Sequence, residues 1–291
     1  MRYLIADLSI DVNLEYEYAI RRMKDYKSEF GGTHIRINIE RDNNIVLPEY
    51  ERFIPYQFRF NWLEFADGSF GAYRTLINSD YIIFFARWNK DATEVTIKMA
   101  DVSHLKGGVS MDIREFSYLG EILQIILPYH NRLVLHSSAI MLDGQGFAFT
   151  APSGTGKSTH TEAWRKLYKD CVAINDDTPI VFNNGKGFYL YGCPWSGKTE
   201  INANICAPLS AIVCLEQGKE NIIEKIPPRQ SFPFIWKELR CTPFVGREDA
   251  KLSVLSDILT TTDVYRLSCL PNDEAVTVCK DKIWKGAMNN D

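Results

Sequence analysis

The sequence is short of several features that would decide its class at once. It has no stretch approaching ~18 consecutive apolar residues, so no membrane-spanning helix and no membrane partner are expected. It has no excess of positive charge: 33 Lys and Arg stand against 37 Asp and Glu, a net charge of −4. No overall basic field draws it to nucleic acid or acidic lipid, and nucleic acid is not expected as a partner. Its seven cysteines include no Cys-x-x-Cys pair. An odd number without paired spacing reads as reduced, mostly buried thiols, and the expected compartment is cytoplasmic. The five histidines, at 34, 104, 130, 136 and 160, form no metal-ligand spacing, so no structural zinc site is expected. The first residues, Met-Arg-Tyr-Leu-Ile-Ala-Asp, meet a charge too soon to form a signal-peptide core. There is no internal repeat and no low-complexity tract.

What is present is ordinary globular chemistry, with 45% hydrophobic and 24% charged residues. At ~150 residues per domain, 291 residues predict about two domains. The first ~110 residues read as strands. Thr33 to Glu40 alternates Ile35, Ile37 and Ile39 against polar neighbours, and Thr93 to Met99 alternates again. Phe58 to Phe65 and Tyr81 to Phe85 are aromatic and β-branched runs, with turn signals at Asp67-Gly68 and at Asn89 to Asp91. A small mostly-β domain over 1–110 follows, with no nameable chemical motif. From Asp112 the period changes: Ile113, Phe116, Leu119, Leu123, Ile126 and Leu127 share a helix face that Pro128 ends. The second domain is therefore set at 111–291. Next, Leu133 to Leu142 and Gln145 to Thr150 flank Asp143-Gly144, a hairpin signal.

Directly after that hairpin stands Ala151-Pro-Ser-Gly-Thr-Gly-Lys-Ser158, a phosphate-loop pattern with Ala for its first Gly. The backbone N–H groups of Ser153, Gly154, Thr155, Gly156 and Lys157 would turn inward as an anion nest, with Gly154 and Gly156 free to adopt the required dihedrals. Lys157 would supply a point charge to phosphates and Ser158 a hydroxyl to Mg²⁺. Thr159 then opens a helix whose Ala163, Trp164, Leu167 and Tyr168 share one face, so helix N–H groups would face the phosphates. A second stretch, Gly192-Cys-Pro-Trp-Ser-Gly-Lys-Thr199, fits the pattern formally. Pro194 has no N–H to give, and the segment after it, cut by Pro208, is a poor helix. It is ranked below the first, as a structural turn or as a second anion contact through Lys198.

Cys171 to Asn175 reads as a short strand running into Asp176-Asp177. Its C-terminal end would lie beside the loop. One carboxylate can join a metal shell while the other faces an acceptor hydroxyl, the division that phosphoryl transfer requires.

With these residues together, Leu135-His136, the hairpin, Ser153 to Ser158 and Asn175-Asp176-Asp177 resemble the HPr kinase/phosphorylase family, whose nucleotide core is similar to that of phosphoenolpyruvate carboxykinase. The resemblance covers roughly 113–291. It implies a mixed-sheet α/β P-loop domain, ATP and Mg²⁺ as cofactors, and phosphoryl transfer to a serine hydroxyl. It implies Asp176 as the base, Asp177 in the metal shell with Ser158, Lys157 on the phosphates, and His136 near the active centre. The chain departs from the family at Thr159, where the family carries Glu. Arg229, Arg240, Arg247 and Arg266 are the candidates for a charge-stabilising arginine.

Towards the C-terminus, Leu209 to Leu215 reads as a buried strand, Ser231 to Leu239 and Asp249 to Leu259 as helices, and Val264 to Leu270 as a further strand. Asn272 would cap a last helix whose Ala275, Val276, Cys279, Ile283 and Trp284 share a face. That face reads as core cover or as a contact in a homo-oligomer. The expected function is an ATP- and Mg²⁺-dependent kinase acting on a hydroxyl of a protein, peptide or metabolite. The alternatives are a nucleotide-binding regulator and a phosphorylase or carboxykinase-like enzyme.

Overall fold

The computed structural model describes residues 1–29, 34–57, 59–105, 108–240 and 248–284. Its contacts divide the chain into two compact units, one running from Met1 to Tyr129 and the other comprising the described chain from His130. Both are built on mixed sheets.

The first unit holds β1 (Arg2–Ile5), β2 (Leu8–Val12), α1 (Glu17–Arg22), β3 (His34–Arg41), β4 (Arg52–Gln57), β5 (Phe60–Glu64), β6 (Phe70–Thr75), β7 (Ile82–Trp88), β8 (Glu94–Met99) and α2 (Met111–Ile126). Its eight strands form one sheet in the order β1-β2-β3-β8-β7-β6-β5-β4. The alternation read at Ile35, Ile37 and Ile39 is the buried face of β3. Helix α2 clusters with this unit, although the sequence pattern drew the boundary ahead of it. The physical reason lies in its buried polar groups, which period alone does not assign to a partner. Glu115 accepts the backbone N–H groups of Glu15 and Tyr16 at 2.8 and 3.1 Å. Buried Arg114 donates to Ala100 O at 2.9 Å. A buried charge is tolerated only where it is hydrogen-bonded, and these partners belong to the β-rich unit.

The second unit holds β9 (Arg132–Val134), β10 (Ser137–Leu142), β11 (Gln145–Thr150), α3 (Lys157–Leu167), β12 (Val172–Asn175), β13 (Ile180–Asn183), β14 (Phe188–Tyr191), β15 (Cys206–Gln217), β16 (Ile222–Lys225), α4 (Pro228–Glu238), α5 (Glu248–Thr261), β17 (Asp263–Cys269) and α6 (Asp273–Ile283). The run read as one strand from Leu133 divides at 135–136. Its first part pairs with β13, and its second forms the hairpin with β11. Asp143 and Gly144 take φ of 49° and 74° at that hairpin, the left-handed pair that a two-residue turn needs.

Strands β11, β15 and β17 are parallel neighbours. β10 is antiparallel to β11 and also to β12, so β12 runs in the same sense as β11 with one strand between them. The C-terminal ends of β11, β12, β15 and β17 therefore share one edge of the sheet, where open α/β sheets bind ligands. Both faces are covered. Phe147, Phe149, Val213 and Leu267 pack with Trp164 of α3 and Val276, Cys279 and Ile283 of α6. Ala148, Ile212, Cys214 and Val264 pack with Ile235 of α4 and Leu255 and Ile258 of α5. This two-sided burial is why residues 211–215 of β15 are an unbroken apolar run. The cap at Asn272 is present, its side chain accepting Ala275 N–H at 3.1 Å.

Under the start of α3, His160 packs 4.9 Å from Phe149 between ring centroids and accepts Trp164 Nε1–H at 3.0 Å. Burial drives its pKa down to about 4. The unfolded chain takes up this proton near pH 6.5 and the folded chain keeps it out, so stability falls as pH drops from about 6.5 to about 4. The loss is about 3 kcal/mol. Urea denaturation at pH 7 and pH 4 should show this as an acid sensitivity that His160→Gln largely removes.

Candidate functional site

The site is built from the chain turn between β11 and α3. Gly154 and Gly156 take φ of 84° and 116°, conformations that glycine adopts without strain. A Cβ built at either would meet nothing within 4 Å. Helix α3 begins at Lys157 with Gly156 as its N-cap residue, and no side chain caps it. Its first N–H groups are thus available, at the positive end of the helix dipole. Ser153 and Thr155 lie on this turn and Ser158 and Thr159 on the first turn of α3; the Thr155 N–H, expected to turn inward with the nest, donates instead to Pro152 O at 3.3 Å within the turn.

Lys157 is buried, and its ammonium donates to Ala151 O at 2.7 Å. Burial holds its pKa below the ordinary lysine value, against the pull of Glu238, Asp177 and Asp176, while Arg240 adds to the lowering. A cation that costs this much to desolvate gains most from an anion placed beside it.

The two adjacent aspartates have different surroundings. Both carboxylate oxygens of Asp176 accept hydroxyl groups: Oδ1 from Ser138, and Oδ2 from Thr199 at 2.6 Å. Thr161 of α3 donates to Ser138 Oγ at 3.3 Å. Asp176, Ser138, Thr161, Thr199 and Ser158 all line one cavity of about 430 Å³. Asp177 lies instead with its Oδ1 3.4 Å from His136 Nε2 and 3.6 Å from the Arg240 guanidinium. His136 Nδ1 is 2.6 Å from Glu238 Oε2, so the imidazole stands between two carboxylates. Burial, then Arg240, push its pKa below the ordinary histidine value, with Lys157 adding to the lowering and Glu238 and Asp177 opposing it. Neutral His136 with its proton on Nδ1 donates to Glu238 and leaves Nε2 as an acceptor facing Asp177.

The backbone fixes these positions. Ser137 N–H donates to Asp177 O at 3.2 Å, and Thr150 Oγ1 donates to His136 O at 3.0 Å. An isolated bridge between Leu135 and Leu239 brings the end of α4 alongside, with His136 N–H donating to Glu238 O at 2.8 Å. The Asn175 side-chain carbonyl accepts the N–H groups of Asp177 and Thr178 at 2.9 and 2.7 Å. Its amide donates to Cys193 O and Trp195 O at 3.0 and 2.9 Å. The second Gly-Lys-Thr stretch is thereby tied to β12. No helix follows it, and Lys198 is exposed on it. A Cβ at Gly192 would strike Ala203 O at 1.8 Å, so that glycine serves close packing. At Gly197 a Cβ would lie 3.3 Å from Asp177 Cβ, which sets this loop directly against the acidic pair.

Ser138, Thr199 and Glu238 were not singled out by sequence reasoning. Isolated hydroxyls and a carboxylate about a hundred residues from His136 carry no local signal. Of the arginine candidates, Arg240 stands beside Asp177. Arg266 pairs with Glu224 and Arg229 is exposed, while Arg247 lies outside the described residues. Among the described residues no cluster of three or more His, Cys, Asp or Glu could hold a metal, and no helix is long and apolar enough to cross a membrane.

No protein-family model matches the chain, and no curated protein matches it. Among solved structures it is similar to the HPr(Ser) kinase/phosphatase from Coxiella burnetii, at 11% identity and a TM-score of 0.30, over 51% of this chain and 94% of that one. The likeness is weak and says nothing of activity.

The electrostatics of His136 are testable without any substrate. Glu238→Gln should move its imidazole titration to lower pH, because the nearest anion is removed. Arg240→Ala should move it to higher pH. NMR titration of the His136 ring protons checks both directions.

Proposed function

We propose that this protein is a nucleotide- and Mg²⁺-dependent phosphotransferase that moves a γ-phosphoryl group to a hydroxyl acceptor. One observation carries the reading: a glycine turn, a buried lysine and two differently partnered carboxylates meet at one end of a mixed sheet. The residues fit the groups the reaction needs. The empty space at Gly154 and Gly156 leaves room for phosphate oxygens against the loop N–H groups. Ser158 and Asp176 offer hard oxygen donors on one cavity. That suits Mg²⁺, which takes one or two protein oxygens and completes its shell with phosphate and water. When bound, the ion would neutralise charge on the phosphates.

The surroundings support the opposite division of the acids from the one the family resemblance implies. Asp176 shares the Ser158 cavity and has both oxygens fixed by hydroxyls, as a metal-shell carboxylate requires. Asp177 lies against His136 and Arg240, with the imidazole Nε2 placed to share a proton with it. In this reading Asp177 Oδ1 takes the acceptor hydroxyl's proton as the acceptor oxygen closes on the γ-phosphorus, while the bond from that phosphorus to the bridging oxygen breaks and the nucleoside diphosphate leaves with the electron pair. The proton is then held between Oδ1 and His136 Nε2. Glu238 positions the imidazole by holding its Nδ1–H, and Arg240 offsets negative charge developing beside Asp177. Lys157 exchanges its contact with Ala151 O for the phosphates. The acceptor, a serine of a protein or peptide or a small-molecule hydroxyl, and ATP as donor belong to the same proposal.

Three variants separate the parts. Lys157→Ala should weaken nucleotide binding by roughly 10- to 100-fold or more, read by calorimetry, since a charge-assisted contact is lost. Asp177→Asn should keep Mg·ATP affinity while slowing transfer by about 10²–10⁴. Asp176→Asn should raise the Mg²⁺ concentration required. Labelled γ-phosphate incubated with a cell lysate or metabolite pool is the direct assay. Nucleotide that binds while no product acquires label would favour a regulator and end the transferase reading.

The pH dependence has a definite sign. Protonated His136 would donate Nε2–H to Asp177 and occupy the base. Because burial and Arg240 hold the His136 pKa below the ordinary histidine value, transfer should persist as pH drops through about 6.5 and fall only at lower pH, where the imidazole gains its proton. A pH–rate profile that stays flat at that lower pH would remove His136 from the relay.

A further inference from the structure

We propose that Thr199 is an autophosphorylation site: its hydroxyl accepts the γ-phosphoryl group of a nucleotide bound at the loop of the same chain. This rests on the phosphotransferase reading and names an acceptor within the molecule. Ser138, Ser158, Thr161 and Thr199 all bring hydroxyls to the cavity of about 430 Å³ beside the loop. They are not equivalent. Ser138 and Thr161 are buried. Ser138 is turned to Asp176 Oδ1, and Thr161 is spread over Ser138 Oγ and the carbonyls of Lys157 and Ser158 at 3.2 to 3.3 Å. Ser158 stands on the first turn of α3, where it is read as a metal ligand. Thr199 combines exposure with a carboxylate partner, donating to Asp176 Oδ2 at 2.6 Å. A hydroxyl held on a carboxylate at the edge of a phosphate site is the arrangement an acceptor needs.

The backbone keeps Thr199 there. Trp195 O accepts the Asn175 amide at 2.9 Å, and Ile201 O accepts Asp176 N–H at 3.1 Å. Asn202 Nδ2 donates to Ser196 Oγ at 2.8 Å across the base of the loop. Residues 197–200 are thus an arch pinned at both feet to the end of β12. The chain turns back at Glu200, whose φ of 55° is left-handed, a conformation that a residue with a Cβ takes where its surroundings impose it. An acceptor tethered in this way needs no diffusional encounter with the donor. In the step, a bond forms between Thr199 Oγ and the γ-phosphorus, and the hydroxyl proton passes to Asp176 Oδ2. The bond from phosphorus to the bridging oxygen breaks, and the nucleoside diphosphate leaves with the electron pair. The new phosphate is repelled by Asp176 and turns away from it. Arg165 lines the same cavity and Lys198 precedes Thr199 in the chain, so cations stand near to pair with it.

The test is incubation of the full chain with Mg·ATP, with added phosphate counted by intact mass and placed by peptide fragmentation, beside calorimetry of Mg·ATP binding. Phosphate should appear at Thr199, and its rate per molecule should not change on about tenfold dilution of the protein, as an intramolecular step requires. Thr199→Ala should remove it, and Thr199→Ser should restore it as phosphoserine at the same position, which separates a lost acceptor from a disturbed loop. Lys157→Ala should lose it together with nucleotide affinity. Phosphate confined to other positions, a rate that rises with protein concentration, or undiminished phosphate on the Thr199→Ala or Lys157→Ala chain overturns the proposal. Calorimetric ATP binding with an unmodified chain also overturns it, while γ-phosphate passed to a lysate component would leave the phosphotransferase reading standing. Neither binding nor lysate labelling overturns that reading itself.

Discussion

A lysine ammonium held inside the protein is the constraint on which the site depends. Lys157 is buried, and desolvating a cation is costly unless something compensates it. The carbonyl of Ala151 compensates by a short hydrogen bond, and the fields of Glu238, Asp177 and Asp176 add to it. The charge in turn fixes what surrounds it. The loop must curl back so that Ala151 O reaches the ammonium, which brings Gly154 and Gly156 into left-handed conformations. The acids that offset the cation come from β12 and the end of α4, so these elements converge on the start of α3. The same positive charge, with Arg240, also opposes protonation of His136. A single buried cation thus links the loop's shape to the protonation state of a side chain on another strand.

The two aspartates illustrate how adjacent residues acquire different chemistry. β12 ends at Asn175, and the two aspartates lie on the bend that follows, held by the Asn175 side chain. On that bend Asp176 meets the hydroxyls of Ser138 and Thr199, while Asp177 meets His136 and Arg240. Hydroxyl donors satisfy a carboxylate without competing charge and hold it in one orientation, a property suited to a cation's shell. An imidazole and a guanidinium give Asp177 a charged, ion-pairing environment instead. The dipeptide gives both possibilities, and the neighbours decide between them.

Much of this was legible from local pattern. The period-2 run at Ile35 to Ile39, the Asp143-Gly144 turn, the glycines before Lys157 and the Asn272 cap are each determined by residues a few positions apart. Local chemistry suffices to read them. Short or edge strands such as β13, β14 and β16 have too few residues to show a period, and β4 and β16 each pair on one side only. The order of the acids around the site was not legible. It depends on the antiparallel turn of β10 between β11 and β12, and on the Leu135–Leu239 bridge that carries Glu238 and Arg240 across the fold. The membership of α2 was hidden for a similar reason. Its apolar face is periodic, but Glu115 finds its partners at Glu15 and Tyr16, far back in the chain.

The two Gly-Lys-Ser/Thr stretches show that a phosphate-loop string and a phosphate-loop conformation are different things. The second stretch matches the string better, since it begins with Gly192 where the first has Ala151. Gly192, however, sits where any side chain would run into Ala203 O. Its freedom from a Cβ is spent on packing. Pro194 removes one donor, and Asn175 binds the carbonyls of Cys193 and Trp195 so as to lock the segment to β12. No helix follows, so no dipole is directed at the turn. What this loop does contribute is Thr199 against Asp176, Gly197 against Asp177, and Lys198 exposed between them. The first stretch has the reverse character: its glycines face open space, its lysine is buried, and a helix starts at once. Of the two sequences, only the first folds into a left-handed glycine turn that runs straight into a helix N-terminus.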